Sequence, residues 1–232
     1  MYRKITHKPG LTALVSLSLF AFAGGSAVAD SAKKVDYTKM SAEQLAEYLI
    51  FEAKGFEVDD KTQEGTTVRD RLMQDELQKT CSKLKGNPVD GDTAEKVTQM
   101  AMKSMVYPEG GIKLGDWKKG QALAQNAFGF RVGHNVDDHS KKETGGMCMN
   151  CHQLEQSKVE RSGTLGVSLI GYGKTLGTDE DAKKHAYQVI YNPHSLFPCS
   201  NMPRFGANGV LTQEKIAHLL AYLLDPESPV NK

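Results

Sequence analysis

Two cysteines three positions apart, followed directly by a histidine, occupy Cys148, Cys151 and His152. C-x-x-C-H is the attachment motif for c-type haem. Each thiol adds to one haem vinyl group, and two intervening residues put both sulfurs on one edge of the porphyrin. The adjacent histidine then reaches the iron as proximal ligand. With four cysteines and seven histidines in 232 residues, a chance match is about a 0.002 event. The same residues could hold zinc, but zinc asks for a fourth donor and usually a second Cys/His pair at short spacing. Cys81 and Cys199 are single and distant. A thioredoxin-type redox pair needs a βαβ setting, which the surrounding pattern lacks. The expected cofactor is one covalent haem c.

The N-terminus fits that chemistry. Arg3, Lys4 and Lys8 precede a short apolar run over 11–23, and Ala27-Val28-Ala29 supplies a small-residue cleavage site. This is the pattern of a secretory signal peptide over 1–29. The run is too short to span a bilayer comfortably, and no later segment is long and apolar enough to do so. Export to the periplasm as a protein without a membrane span is the expectation. Cleavage would leave 203 residues and remove three basic residues and no acid, taking the formal charge from +1 to −2. Such a balance favours neither nucleic acid nor a polybasic membrane contact.

A chain of that length exceeds one small haem domain, so the region 30–110 needs its own account. Residues 30–40 are polar and read as a loose arm. Ser41 with Gln44 forms a capping box, and Leu45, Tyr48, Leu49 and Ile50 make a helical stripe that stops at Gly55. Thr66 opens a second helix carrying Val68, Leu72, Met73, Leu77, Cys81 and Leu84, closed by Gly86. Asp92 with Glu95 starts a third, bearing Val97, Met100, Ala101 and Met105. At helical spacing these methionines are core filler rather than a metal box. The Pro108-Glu109-Gly110-Gly111 turn is the domain boundary. Thus 30–110 is a helical extension packed on a second domain, 111–232.

In the second domain, Asp116 caps a helix that begins at Trp117. A polar insertion over 134–146 follows, holding His134 and His139; exposed loop histidines are seldom ligands. Residues 179–191 form a helix ended by Asn192-Pro193. Thr212 starts the last helix, with Ile216, Leu219, Leu220, Leu223 and Leu224 on one face. Pro226 ends it.

Two stretches carry a resemblance. Gly115-Asp116-Trp117 through Leu123 is similar to the first helix of class I cytochromes c, and 161–173 resembles their loop beside the proximal histidine. Many members carry proline at the position of Val167, whose carbonyl accepts a hydrogen bond from the second nitrogen of the histidine. A valine carbonyl can do the same and would raise ligand basicity. Met202-Pro203, 50 residues after His152 in a turn-rich segment, lies where this family supplies its distal ligand. A thioether is soft, neutral and long enough to reach iron from a loop, and it raises the reduction potential. His185, His194 and His218 are the rivals. The resemblance implies an all-α class I cytochrome c fold, in which the last helix crosses the first beside the haem.

Asn192-Pro193, Asn201-Met202-Pro203-Arg204-Phe205-Gly206, Leu211-Thr212 and Ala221-Tyr222-Leu223 narrow this to the SoxX family, over about 115–226. SoxX is the monohaem subunit of the SoxAX cytochrome of bacterial sulfur oxidation. The resemblance implies a heterodimer with a SoxA-like haem subunit. That complex joins thiosulfate oxidatively to a cysteine of the SoxYZ carrier protein. The catalytic haem would belong to the partner; this chain would be a non-catalytic relay with His152 and Met202 as axial ligands, passing electrons to a soluble cytochrome c acceptor. A freestanding soluble class I cytochrome c electron carrier is the alternative, and a haem enzyme or gas sensor with an open sixth position is a third.

Cys81 and Cys199 remain after haem attachment in an oxidising compartment, so a disulfide between them is expected. Two buried thiols, or a reactive Cys199 beside the haem, are the alternatives. The first prediction concerns attachment: a haem spectrum should survive acid–acetone extraction of the protein, and Cys148→Ser with Cys151→Ser should abolish that survival.

Overall fold

The computed structural model describes residues 35–63, 65–130 and 141–232. The expected leader over 1–29, and His134 and His139, lie outside them. The chain divides into two units, Met1–Ser41 and Ala42–Lys232. The described part of the first is one 3-10 turn, Tyr37–Lys39, capped by the Asp36 side chain, which accepts from the Thr38 N–H.

The second unit is all-α: among the described residues there is no strand, only a single bridge between Lys61 and Thr67. Helix α1 (Ala42–Glu47) runs into a π turn, Tyr48–Glu52. The helix expected from Thr66 to Gly86 is two helices, α2 (Val68–Leu72) and α3 (Glu76–Ser82). The reason is local. Thr67 with Asp70 and Asp75 with Gln78 each form a capping box, and the second box forces extended backbone at Met73 and Asp75 before a new helix can start. Helix α4 (Gly91–Lys103) is capped by Asp90, two residues earlier than Asp92.

Asp116 caps α5 (Trp117–Gln125), and Asp179 caps α7 (Glu180–Tyr191), after the short α6 (Tyr172–Leu176). Thr212 caps α8 (Gln213–Leu224). The apolar stripe of α8 is buried throughout, with Ile216, Leu220 and Leu224 at 0% exposure. It joins Leu123, Ala124, Leu154, Tyr187 and Ile190 in the main core. Helices α5 and α8 approach through glycine: a Cβ on Gly120 would stand 2.0 Å from the His218 carbonyl oxygen. The contact is tightened where the Asp116 N–H donates to His218 Nδ1 at 2.8 Å.

The segment ahead of the Pro108–Gly111 turn belongs to the same unit. Leu77, Val97 and Ala101 form a small core with Met100, Cys81 and Cys199 packed on it. The Tyr187 hydroxyl donates to the Val106 carbonyl at 2.6 Å, and Asn192 Nδ2 donates to Ser104 Oγ at 2.9 Å. Tyr107, Tyr187 and Tyr191 stack in series. A disulfide joins Cys81 to Cys199, with Cα atoms 5.3 Å apart, and Arg204 pairs with Asp75 at 2.7 Å.

The bridge closes a loop across a separation of 118 residues, for which the chain-entropy account gives about 3–5 kcal/mol of stabilisation. Cys81→Ser with Cys199→Ser should lower unfolding free energy by that amount in urea. Mass mapping without reduction should recover the two peptides joined; two free thiols in the native protein would contradict the bridge.

Candidate functional site

The C-x-x-C-H segment is a single 3-10 turn, Cys148–Asn150, entered through Met147 in left-handed backbone at φ 42°. Its geometry is set from both sides. Upstream, the Gly145, Gly146 and Met147 amides donate to the carbonyls of Phe128, Leu123 and Asn126, anchoring the turn to the end of α5. Downstream, Gly163 donates to Met149 O at 2.8 Å, Gly166 to Cys151 O at 2.7 Å and Leu169 to Gln153 O at 2.8 Å. The 163–169 loop therefore runs alongside 149–153 as a backbone-bonded splint. It fits closely: a Cβ on Gly163 would meet Asn150 O at 1.8 Å.

This splint orients His152. Its Nδ1 lies 2.7 Å from the Val167 carbonyl oxygen. A carbonyl only accepts, so Nδ1 carries a proton and donates, which makes Nε2 the lone-pair nitrogen of the neutral ring form. The Gly166 backbone lies against the ring, and a Cβ there would stand 2.3–2.7 Å from three ring atoms. The ring is thus held along Nδ1, Cε1 and Nε2 by the Gly166 backbone and at Nδ1 by the Val167 carbonyl. Cys148 and Cys151 are free thiols, and Cys148 packs against the main core. Burial pushes the Cys148 thiol up to about 12, so it is neutral near pH 7.

Met202 packs on the same apolar cluster as Cys148, with Phe205, Tyr191 and Val210. Its loop hangs on Tyr191, whose carbonyl accepts from the Gly206 and Ala207 amides at 3.1 and 3.0 Å. The disulfide at Cys199 fixes its start. Of the three rival histidines, His218 uses Nδ1 to receive the Asp116 amide. His185 makes an edge contact with Phe197. His194 is 7% exposed, and its Nδ1 has no hydrogen-bond partner among the described residues. Burial, with the Arg204 charge nearby, lowers its pKa and keeps it neutral.

Among the described residues, no three His, Cys, Asp or Glu side chains come together to hold a bare metal ion. Iron inside a porphyrin asks for less, two axial donors, because the ring supplies four nitrogens. The oriented Nε2, the two free thiols beside it and a soft thioether on the same cluster fit a covalently held haem.

Glu155 was not legible as part of this site. It is 4% exposed, three residues past His152. Its carboxylate accepts from the Tyr222 hydroxyl at 2.6 Å, Gln121 Nε2 at 2.6 Å, Gln125 Nε2 at 3.2 Å and Lys158 Nζ at 2.9 Å. Burial alone would raise its pKa; the bonds from Tyr222, Gln121 and Lys158 outweigh that and hold it below the ordinary carboxylate value. The stability it contributes is full above the unfolded pKa of about 4.3 and is lost as pH falls through the lower folded value. Nothing in the spacing distinguishes Glu155 from a surface acid; only its place after the buried Leu154 hints at it.

No protein-family model matches the chain. Over 164 residues it is 43% identical to an uncharacterized lipoprotein of Aquifex aeolicus (strain VF5), a match covering 68% of this chain and 73% of the relative. The chain belongs to the family of that lipoprotein. No helix among the described residues is long and apolar enough to cross a membrane.

Gly166→Ala tests the histidine clamp. The added methyl must displace the ring or the splint, so the protein should lose about 1–3 kcal/mol. In proton NMR, the slowly exchanging Nδ1–H resonance of His152 should broaden or vanish. A retained resonance with unchanged stability would mean that Gly166 does not hold the ring.

Proposed function

We propose that this chain is a monohaem c-type cytochrome of class I fold that relays single electrons outside the cytoplasm. The observation that carries the reading is the paired restraint on His152: Nδ1 is held by Val167 and the ring by Gly166, which presents Nε2 beside two free cysteines. The close crossing of α5 and α8 at Gly120 supports the fold assignment. The leader-like N-terminus and the name of the Aquifex relative, a lipoprotein, support the compartment.

A bound haem would supply an iron that gains and loses one electron. Cys148 and Cys151 would hold it covalently, His152 would ligate through Nε2, and the Val167 carbonyl would keep the proton on Nδ1 and raise the basicity of the ring. Met202 would be the second axial donor, a neutral thioether that favours the reduced state.

In its narrower form the reading is a SoxX-like subunit. Joining thiosulfate sulfur to a cysteine sulfur forms one S–S bond and releases two electrons, whereas one haem site accepts one. With Cys81 and Cys199 bridged, the only free thiols are the pair assigned to haem. The sulfur chemistry then belongs to a SoxA-like partner, with SoxYZ as carrier and a soluble cytochrome c as acceptor. The second reading is a freestanding carrier without an obligate partner; with all four cysteines taken by the bridge and the haem pair, none is left to carry a lipid.

Met202→Ala in the haem-loaded protein should abolish the near-infrared methionine–iron band and lower the reduction potential, while His194→Ala leaves both unchanged. Loss of ligation in His194→Ala with an intact Met202→Ala spectrum would reassign the iron to His194. Affinity isolation of the native protein should bring down a second haem subunit; isolation of the chain alone favours the freestanding carrier.

A further inference from the structure

The C-x-x-C-H turn is joined to the α5–α8 crossing by one side chain, and that side chain is a carboxylate. Glu155 reaches α5 through Gln121 and Gln125, α8 through Tyr222, and its own segment through Lys158. All four partners offer donors at these contacts. A protonated carboxyl would set its own O–H in this ring of donors, so the geometry selects the ionised form. Such a bonded carboxylate is retained because breaking it leaves a buried charge unpaired.

Its charge lies close to the attachment site. Tyr222, which donates to Glu155, and Leu154, the residue before it, lie in the core cluster on which Cys148 packs. The Glu155 carboxylate is 5% exposed, whereas the Lys158 ammonium facing it is on a side chain 33% exposed. Water therefore screens the cation more than the anion. As a general scale, a unit charge held within about 10 Å of a redox centre, at an effective dielectric of about 20, changes a one-electron equilibrium by about tenfold or more.

We propose that Glu155 is a positioning residue of the electron-transfer site: its buried carboxylate locks the C-x-x-C-H segment to the α5–α8 crossing and holds a fixed negative charge that favours oxidised iron. The proposal rests on the haem reading above. Donor-bonded carboxylates of this kind serve in two ways at once, as a lock on local geometry and as a standing field. Here the lock ties the segment just after the histidine to both helices, and the field sets how readily an electron is given up.

The test is redox titration of haem-loaded Glu155→Gln and Tyr222→Phe beside the parent protein. Glutamine keeps the shape and removes the charge, so the equilibrium constant for reduction should rise about tenfold, which is 59 mV for one electron. The methionine–iron band should persist. Tyr222→Phe keeps the charge and drops one donor, so it should move the constant less than about twofold while weakening stability. Equal shifts in both variants, or less than a twofold change in Glu155→Gln, would overturn the proposal. A readout without any variant comes from the infrared difference between oxidised and reduced protein labelled with ¹³C-glutamate. It should show one ionised carboxylate perturbed by the redox change, and its absence would count equally against the assignment. If the parent protein carries no covalent haem after production with haem-attachment machinery, the electron-transfer reading itself fails and Glu155 falls with it; covalent haem with an unmoved potential removes Glu155 alone.

Discussion

The close approach of α5 and α8 is the constraint on which the other features hang. It exists because Gly120 has no side chain where the His218 carbonyl must pass, and Gly115 is equally filled by His218. Contact at that distance buries the whole stripe of α8, and dispersion between such closely packed atoms accumulates over many pairs. It also brings Gln121, Gln125 and Tyr222 to one point. The polar cluster they form around Glu155 is thus a product of helix packing, and it ties both helices to the segment that follows the cysteine turn. Fold and site share one set of contacts.

The Met202 loop is organised by a different device. The loop carrying Met202 contributes little regular structure, so it is held by discrete ties: the Tyr191 carbonyl, the Arg204–Asp75 pair and the bridge to Cys81. Two of these reach into the extension. The small core of Leu77, Val97 and Ala101 therefore backs the methionine loop, and the extension has a structural task as well as an added surface. Each of these ties removes freedom that would otherwise spread the positions of the loop and of Met202.

The caps were readable where a single residue had no competitor. Asp116, Asp179 and Thr212 mark their helix starts because each precedes a clear apolar period. The stretch 66–86 misled because its apolar spacing is continuous while two capping boxes compete within it; the hydrogen bonds at Thr67 and Asp75 prevail over periodicity. The cysteines and His152 stand out as candidates from their chemistry and spacing alone. Glu155 and Gly120 were not, since their roles depend on which helices cross, a fact held in no local window. Met202 was reachable through resemblance and general ligand chemistry, while His194 became a serious rival only when its burial and its unpartnered nitrogen were visible.

Proton NMR of the reduced, haem-loaded protein tests the central claim most directly. An iron held between His152 and Met202 would place the methionine side chain over the porphyrin face, where the ring current shifts its methyl resonance far upfield. The account predicts such a resonance, assigned to Met202 by selective methionine labelling. Reduced protein with covalent haem and no upfield methionine methyl would contradict it.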